Sequence, residues 1–182
     1  MNSLLVTYIL QTEKWTSPEL FETKNRIYTF LNPVSYLIAL ENKSLFEQFD
    51  GIFADGSLLV SAIRLVYGKR VTRRSFDMTS LAPELLNYLM ESRKTLYIVA
   101  SGQEQVECSV RIFQEQYPKL RIAGFRNGYF SSDAEMNKEA SHIVELNPDF
   151  LIVGMGALMQ EKFLLKVKKM GYQGIGFTCG GF

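Results

Sequence analysis

The chain has 182 residues, 47% hydrophobic and 21% charged, which suits one domain with a real core and excludes collagen-like, disordered and coiled-coil classes. Twenty Lys and Arg against nineteen Asp and Glu leave a net charge of +1, so no global basic field exists to capture nucleic acid or anionic lipid by charge alone. One histidine and two cysteines, Cys108 and Cys179, argue against a His/Cys zinc site and fit a reduced, intracellular protein.

Ser3 to Leu10 is rich in Leu, Val, Tyr and Ile and predicts a strand. Gln11 to Glu22 is polar, contains Pro18 and predicts a loop. Residues 1–25 thus read as a variable strand and loop ahead of a single α/β core within 1–182. Met1 to Lys14 lacks the basic start and cleavage site of a secretory leader, and no run approaches the roughly 20 apolar residues of a membrane helix. The expectation is a cytoplasmic protein, with peripheral membrane association open.

Arg26 to Leu31 predicts the next strand. Asn32-Pro33 then opens a helix, with Asn as cap and Pro at the first position. Val34, Leu37, Ile38, Leu45 and Phe49 carry helical spacing to Phe49. Gly51 to Ala54 is a short strand ending in Asp55-Gly56. Ser57 to Tyr67 predicts a helix with Leu58, Leu59, Ala62, Ile63 and Val66 inward, stopped by Gly68. Lys69 to Asp77 is the most basic stretch. Thr79 or Ser80 caps a helix to about Ser92, and Thr95 to Ala100 is a buried-type strand before Ser101-Gly102. A helix follows to Tyr117, where Pro118 stops it. Leu120 to Gly124 is a strand and Phe125 to Ser132 a loop. Ser132 or Asp133 caps a helix to Leu146, and Asp149 to Val153 is a strand before Gly154-Met155-Gly156. Met159 to Met170 is a helix, and Gly174 to Phe177 begins another strand.

Alternating strands and helices argue for a mostly parallel sheet covered by helices on both faces. Ligands of such sheets bind beyond the carboxyl ends of the strands, which singles out Asn32, Asp55-Gly56, Ser101-Gly102, Asn127-Gly128 and Gly154 to Glu161. Gly102, Gly154 and Gly156 precede helix starts and would let a backbone approach a phosphate, although any one of them also reads as a tight turn. Asp55 could act as a base or merely as a helix cap. Arg70, Arg73 and Arg74 could clamp a phosphate or form a solvated loop. Gln160 and Glu161 could grip a sugar or base edge, or supply ordinary helix-start polarity. Tyr129 and Phe130 could stack on a base or simply pack, and His142 reads as exposed. There is no P-loop and no G-x-S-x-G, and a G-x-G-x-x-G would need glycine at Met159.

In chain order these residues make a pattern. Asp55-Gly56 is followed by arginine ahead of Ser75-Phe76-Asp77, then Tyr117-Pro118, Ile122-Ala123-Gly124 and Asn127-Gly128-Tyr129-Phe130. The finish is Asn147-Pro148-Asp149, Val153-Gly154-Met155-Gly156 and Gln160-Glu161. From about Arg26 onward the chain resembles the WecG/TagA/CpsF glycosyltransferases (glycosyltransferase family 26). Its most specific parts are the NGYF loop and the G-x-G-x-x-x-Q-E segment.

The resemblance implies a Rossmann-like α/β fold of the GT-E type and an inverting enzyme of bacterial cell-surface polysaccharide synthesis. Such an enzyme moves a sugar of N-acetylmannosamine, N-acetylmannosaminuronic acid or glucose type from a UDP-sugar to an undecaprenyl-diphosphate-linked sugar. No metal or other cofactor is implied. By the same resemblance Asp55 is the catalytic base, Gln160 the essential glutamine, and Arg73 or Arg74 the family arginine. Asn32, Gly56, Ser101, Gly102, Asn127, Gly128, Tyr129, Phe130, Gly154, Gly156 and Glu161 become substrate-binding candidates. The implied partners are the UDP-sugar, the lipid-diphosphate acceptor and the inner face of the plasma membrane. No nucleic acid is implied, and the oligomeric state stays open, a homo-oligomer included. Two readings compete: a non-catalytic, degenerate UDP-sugar-binding homologue, and a Rossmann-type dehydrogenase or methyltransferase.

Leu158-Met159 stands where the family often has Pro-Lys, and Phe30 where it has threonine. Arg73 to Asp77 lacks the family's glycine. Family members usually continue beyond Gly180-Gly181-Phe182 with a basic and aromatic segment, so the expectation is a stable, soluble core with weak or absent activity.

Overall fold

The computed structural model describes residues 4–180, so Ser3 and Gly181-Phe182 lie outside the described residues. Six strands, β1 (Arg26–Leu31), β2 (Gly51–Ala54), β3 (Thr95–Ala100), β4 (Arg121–Arg126), β5 (Phe150–Gly154) and β6 (Ile175–Thr178), form one sheet in the order β2-β1-β6-β5-β3-β4. Every pairing is parallel. Parallel strands need crossovers, and the amphipathic helices between them supply these.

On one face lie α1 (Leu4–Thr12), α3 (Pro33–Glu41), α4 (Lys43–Phe46), α5 (Ser57–Tyr67), α8 (Asp133–Leu146) and α9 (Met159–Lys169). On the other lie α2 (Ser17–Glu22), α6 (Leu81–Ser92) and α7 (Gln103–Gln116). Alternation within the strands feeds both layers. Leu151 and Val153 join the first core, Phe150 and Ile152 the second. The second core centres on Phe177, whose ring stacks on Tyr28 at 5.2 Å and on Phe76 at 5.3 Å. No helix among the described residues is long and apolar enough to cross a membrane.

The structure corrects several expectations. The predicted N-terminal strand is helix α1, burying Leu5, Val6, Ile9 and Thr12 at helical spacing. An unbroken apolar run carries no period by which to tell strand from helix. The predicted loop at 11–22 holds α2, where Thr16 and Glu19 form a capping box and Pro18 occupies the tolerated first turn. The helix expected from Asn32 to Phe49 breaks at Asn42, which ends α3 and begins α4. In α5, Leu59 and Ile63 face the core while Leu58, Ala62 and Val66 face outward, because its apolar arc is wider than this edge of the sheet can cover. Strand β4 runs two residues past the predicted end, to Arg126.

Edge strand β2 is buried under α1, where the Thr12 hydroxyl donates to the Ile52 carbonyl at 2.6 Å. Thr12→Val keeps the shape but leaves that buried carbonyl short of a donor. It is expected to cost about 1–2 kcal/mol, read as a lower urea midpoint with an unchanged slope.

Candidate active site

Two cavities open at the carboxyl ends of the strands and share Gly156. The larger, about 750 Å³, is walled by Ser101 and Gly102 after β3, Gly128 to Asp133 after β4, and Gly154 to Gly156 after β5. The smaller, about 150 Å³, is lined by Asn32 after β1, Asp55 after β2, Gln160 of α9, and Cys179 and Gly180 after β6.

In the larger cavity, helices α7, α8 and α9 present their N-terminal turns through Gly102, Ser132 and Met159. The N–H groups and partial positive charge at the starts of α7 and α9 suit an anion, whereas at α8 the Ser132 hydroxyl takes the Glu135 N–H and Asp133 lines the cavity. Close packing fixes these loops. The Ser101 N–H donates to the Gly154 carbonyl at 3.0 Å, and the Gly128 N–H to the Ser101 carbonyl at 2.9 Å. Ser101 itself holds a left-handed φ of 52°, and Gly156 a φ of 81°. A β-carbon at Gly154 would lie 2.6 Å from the Cys179 sulfur and 2.9 Å from the Gly180 carbonyl oxygen, so this position excludes side chains.

The NGYF loop is wrapped around Arg126. Its guanidinium donates to the carbonyls of Asn127 at 3.0 Å and Tyr129 at 2.8 Å, pairs with Glu135 at 3.2 Å, and lies 4.0 Å from the Phe130 ring centroid. Asn127 does not line the cavity. Its side chain donates to Gln103 and accepts the Tyr129 N–H, bracing the loop from behind. Tyr129 is largely exposed at the rim.

In the smaller cavity, Asp55 and Asn32 sit side by side because β1 and β2 pair with Leu31 opposite Ala54. The Asp55 N–H donates to the Leu31 carbonyl at 2.8 Å. Asn32 caps α3, its side-chain oxygen accepting the N–H groups of Val34 and Ser35. Burial raises the Asp55 carboxyl above its ordinary pKa, the Arg73 charge pulls it back, and Asp77 adds to the rise. Burial acts the same way on Asp77, but hydrogen bonds from Thr79 and Ser75 and the Arg73 charge outweigh it and hold that carboxyl low. Two neighbouring carboxylates are thus pushed apart, the pattern of an acid–base site. Burial pushes the Cys179 thiol well up, so it stays protonated.

Arg73 pairs with Asp77 at 2.8 Å beside Asp55. Arg74 is tied elsewhere, donating to the Trp15 carbonyl at 2.7 Å with its guanidinium 5.2 Å from the Phe53 ring centroid. Spacing alone leaves this pair open; only Arg73 acts on the Asp55 charge. Arg70 is exposed in the same basic loop. Gly56 starts α5 with a φ of 85° but lines neither cavity.

Glu161 lies beneath the floor of the smaller cavity, fully buried. Its carboxylate accepts from the Thr29 hydroxyl at 2.8 Å, the Gln160 amide at 2.9 Å and the Leu158 N–H at 2.7 Å. Thr178 donates on to Thr29 at 2.9 Å, and Gln160 accepts the Gly180 N–H at 3.0 Å. This chain of bonds holds Gln160 at the cavity wall and Leu158 at a left-handed φ of 72°. Of the family departures, Phe30 lines the smaller cavity and Met159 the larger.

Sequence reasoning missed Arg126, Thr29 and Thr178, and named Ser75 and Asp77 only as part of the family pattern. It also missed Ser131 and Ser132 as cavity walls, although the start of α8 after a strand end carries the same signal as Gly102.

The family model "Glycosyl transferase WecG/TagA/CpsF family" matches residues 10–182. The chain is 32% identical over 156 residues to a UDP-Gal:alpha-D-GlcNAc-diphosphoundecaprenol beta-1,4-galactosyltransferase of Shigella boydii, covering 86% of this chain and 65% of the relative. It is 23% identical over 185 residues to an N-acetylglucosaminyldiphosphoundecaprenol N-acetyl-beta-D-mannosaminyltransferase of Bacillus subtilis, covering 100% and 69%. A Staphylococcus aureus protein of that same description is 25% identical over 146 residues, covering 79% and 56%. The chain thus spans between 56% and 69% of the length of these relatives. The galactosyl donor of the first falls outside the sugars expected from sequence. The chain belongs to the WecG/TagA/CpsF glycosyltransferase family.

Proposed function

We propose that this member of the WecG/TagA/CpsF family transfers a hexose from a UDP-sugar to a sugar carried on a lipid diphosphate, inverting the anomeric carbon. The observation that carries the reading is the pair of cavities joined at Gly156, one ringed by helix N-termini and one holding a half-buried carboxylate of raised pKa. The UDP moiety occupies the larger cavity with its diphosphate against the starts of α7 and α9. The anomeric carbon then lies near Gly156, and the acceptor hydroxyl enters by the Asp55 side.

Asp55 takes the hydroxyl proton as that oxygen bonds to the anomeric carbon. The bond from that carbon to the diphosphate oxygen breaks, and its electron pair leaves with UDP. Helix N-termini meet the charge growing on the diphosphate, while Arg73 acts on the charge of Asp55. Asn32 and Gln160 bind the sugars. The descriptions of the relatives support galactose or N-acetylmannosamine as the donor sugar. The lipid-borne acceptor supports a peripheral position on the cytoplasmic face of the plasma membrane.

The test is radiolabelled transfer from a panel of UDP-sugars (galactose, glucose, N-acetylmannosamine and its uronic acid) onto N-acetylglucosaminyl-diphosphoprenol. A parallel melting experiment adds UDP, NAD or S-adenosylmethionine. Expected are a melting rise with UDP alone and a labelled disaccharide lipid, formed slowly, with one donor. UDP binding with no transfer from any donor would overturn the catalytic reading in favour of a sugar-nucleotide-binding homologue.

A further inference from the structure

We propose that the outward face of α3 and α5 docks onto an anionic phospholipid bilayer. The proposal rests on the lipid-borne acceptor proposed above and names the surface that delivers Asp55 to it. Five aliphatic side chains among the described residues are more than 60% exposed: Val34, Leu37, Leu58, Leu65 and Val66, at 63–88%. All five lie on these two helices. Scattered exposed hydrophobics are ordinary, but a cluster confined to one face marks an interaction surface.

Within each helix the spacing sets these side chains on one side. Val34 and Leu37 are three apart on α3, and Leu58, Leu65 and Val66 are seven and eight apart on α5. Both helices pack on the same side of the sheet, through Ala39 of α3 and through Leu59 and Ile63 of α5. They start beside each other, at Asn32 and Gly56, where β1 and β2 end. Asp55 lies between those two starts in the smaller cavity.

Charge identifies the occupant. Residues 57–74 contain five Lys and Arg and no Asp or Glu, in a chain whose net charge is only +1. Arg64, Lys69 and Arg70 are exposed and enter none of the ion pairs among the described residues. On α5 an apolar stripe edged by free cations fits a negatively charged lipid surface, with Glu41 at the far end of α3 the one opposing charge on the two helices. A second copy docking through the same patch would oppose cation to cation. A sugar on a lipid diphosphate stays close to its bilayer, so Asp55 must approach the membrane. The two helices that carry this face both start at the smaller cavity.

The experiment is co-sedimentation of the chain with vesicles of equal parts phosphatidylglycerol and phosphatidylcholine, against pure phosphatidylcholine. Binding is expected only to the anionic vesicles and to weaken with salt. Leu58→Ser with Leu65→Ser should lower partitioning at least about tenfold, as should neutralising Arg64, Lys69 and Arg70 to Gln. Melting temperatures should be unchanged, since these side chains are exposed. Equal binding to both vesicles, or serine variants that bind like the wild type, would overturn the proposal. So would sedimentation velocity in which the serine pair turns an oligomer into a monomer while lipid binding persists.

Transfer assays separate this inference from the proposed activity. Docking variants should keep transfer to a water-soluble short-chain acceptor and lose it on a vesicle-embedded one. Anionic vesicle binding that needs Leu58 and Leu65, in a chain inert on both acceptors, would uphold the surface and overturn the transferase.

Discussion

Asp55→Asn should lower sugar transfer by at least about a thousandfold while UDP affinity changes by no more than about threefold. Asparagine keeps the size of the side chain and its place beside Asn32, but it cannot take the acceptor proton. UDP binding would survive because the larger cavity, with its helix starts, does not use Asp55. Single-turnover transfer and UDP titration calorimetry of the same preparation read the two quantities independently. Near-normal transfer would remove Asp55 from the mechanism.

The same variant carries a pH signature. Burial raises the folded pKa of Asp55 above its ordinary value of 3.8. The stability of the neutral form is then fully present below that value and is lost as pH rises through the folded pKa. At neutral pH the wild type therefore carries a destabilising charge that asparagine lacks. Asp55→Asn is expected to melt higher than the wild type at pH 7, with the gap closing toward pH 4. An unchanged gap would show that burial does not act on this carboxyl.

Glu161→Ala should be the most destabilising single change at the site, at about 3 kcal/mol or more. Alanine removes the acceptor of three donors at once, from Thr29, Gln160 and Leu158. All three lie in or beside a fully buried position where water cannot replace the carboxylate. It also releases Leu158 from the bond that holds its left-handed backbone. Urea unfolding measures the loss. Glu161→Gln retains one amide oxygen and most of the volume, so its cost should fall clearly below that of alanine. Equal costs would mean that packing, rather than hydrogen bonding, is what Glu161 supplies.

Much of this arrangement is legible in the residues. The β-branched and aromatic runs 26–31, 51–54 and 95–100 coincide with β1, β2 and β3 because buried parallel strands need nothing but apolar side chains. Helix limits at Gly68 and Ser132 follow from left-handed and capping residues that act locally. Local signals fail in three ways. The run Leu4 to Leu10 lacks the polar interruptions that would betray its period. The outward side of α5 is as apolar as its inward side, so pattern cannot say which residues are buried. The Thr29–Glu161 bond joins residues 132 apart, and nothing near either residue announces the other. Arg126 is hidden for a related reason: the sequence places it in the loop 125–132, whereas it ends β4 and organises the loop that follows it.

The strand order has a bearing on how the protein is made. Strand β6 lies between β1 and β5, yet the ribosome produces it after the other five strands. Until it emerges, β2-β1 and β5-β3-β4 can form only as two separate ribbons, each with an open inner edge. Insertion of β6 closes both edges in one step. The same step carries Cys179 and Gly180 to the wall they share with Asp55 and Gln160. Folding intermediates of this topology are therefore exposed to edge-to-edge association, and nascent chains lacking β6 have no complete smaller cavity.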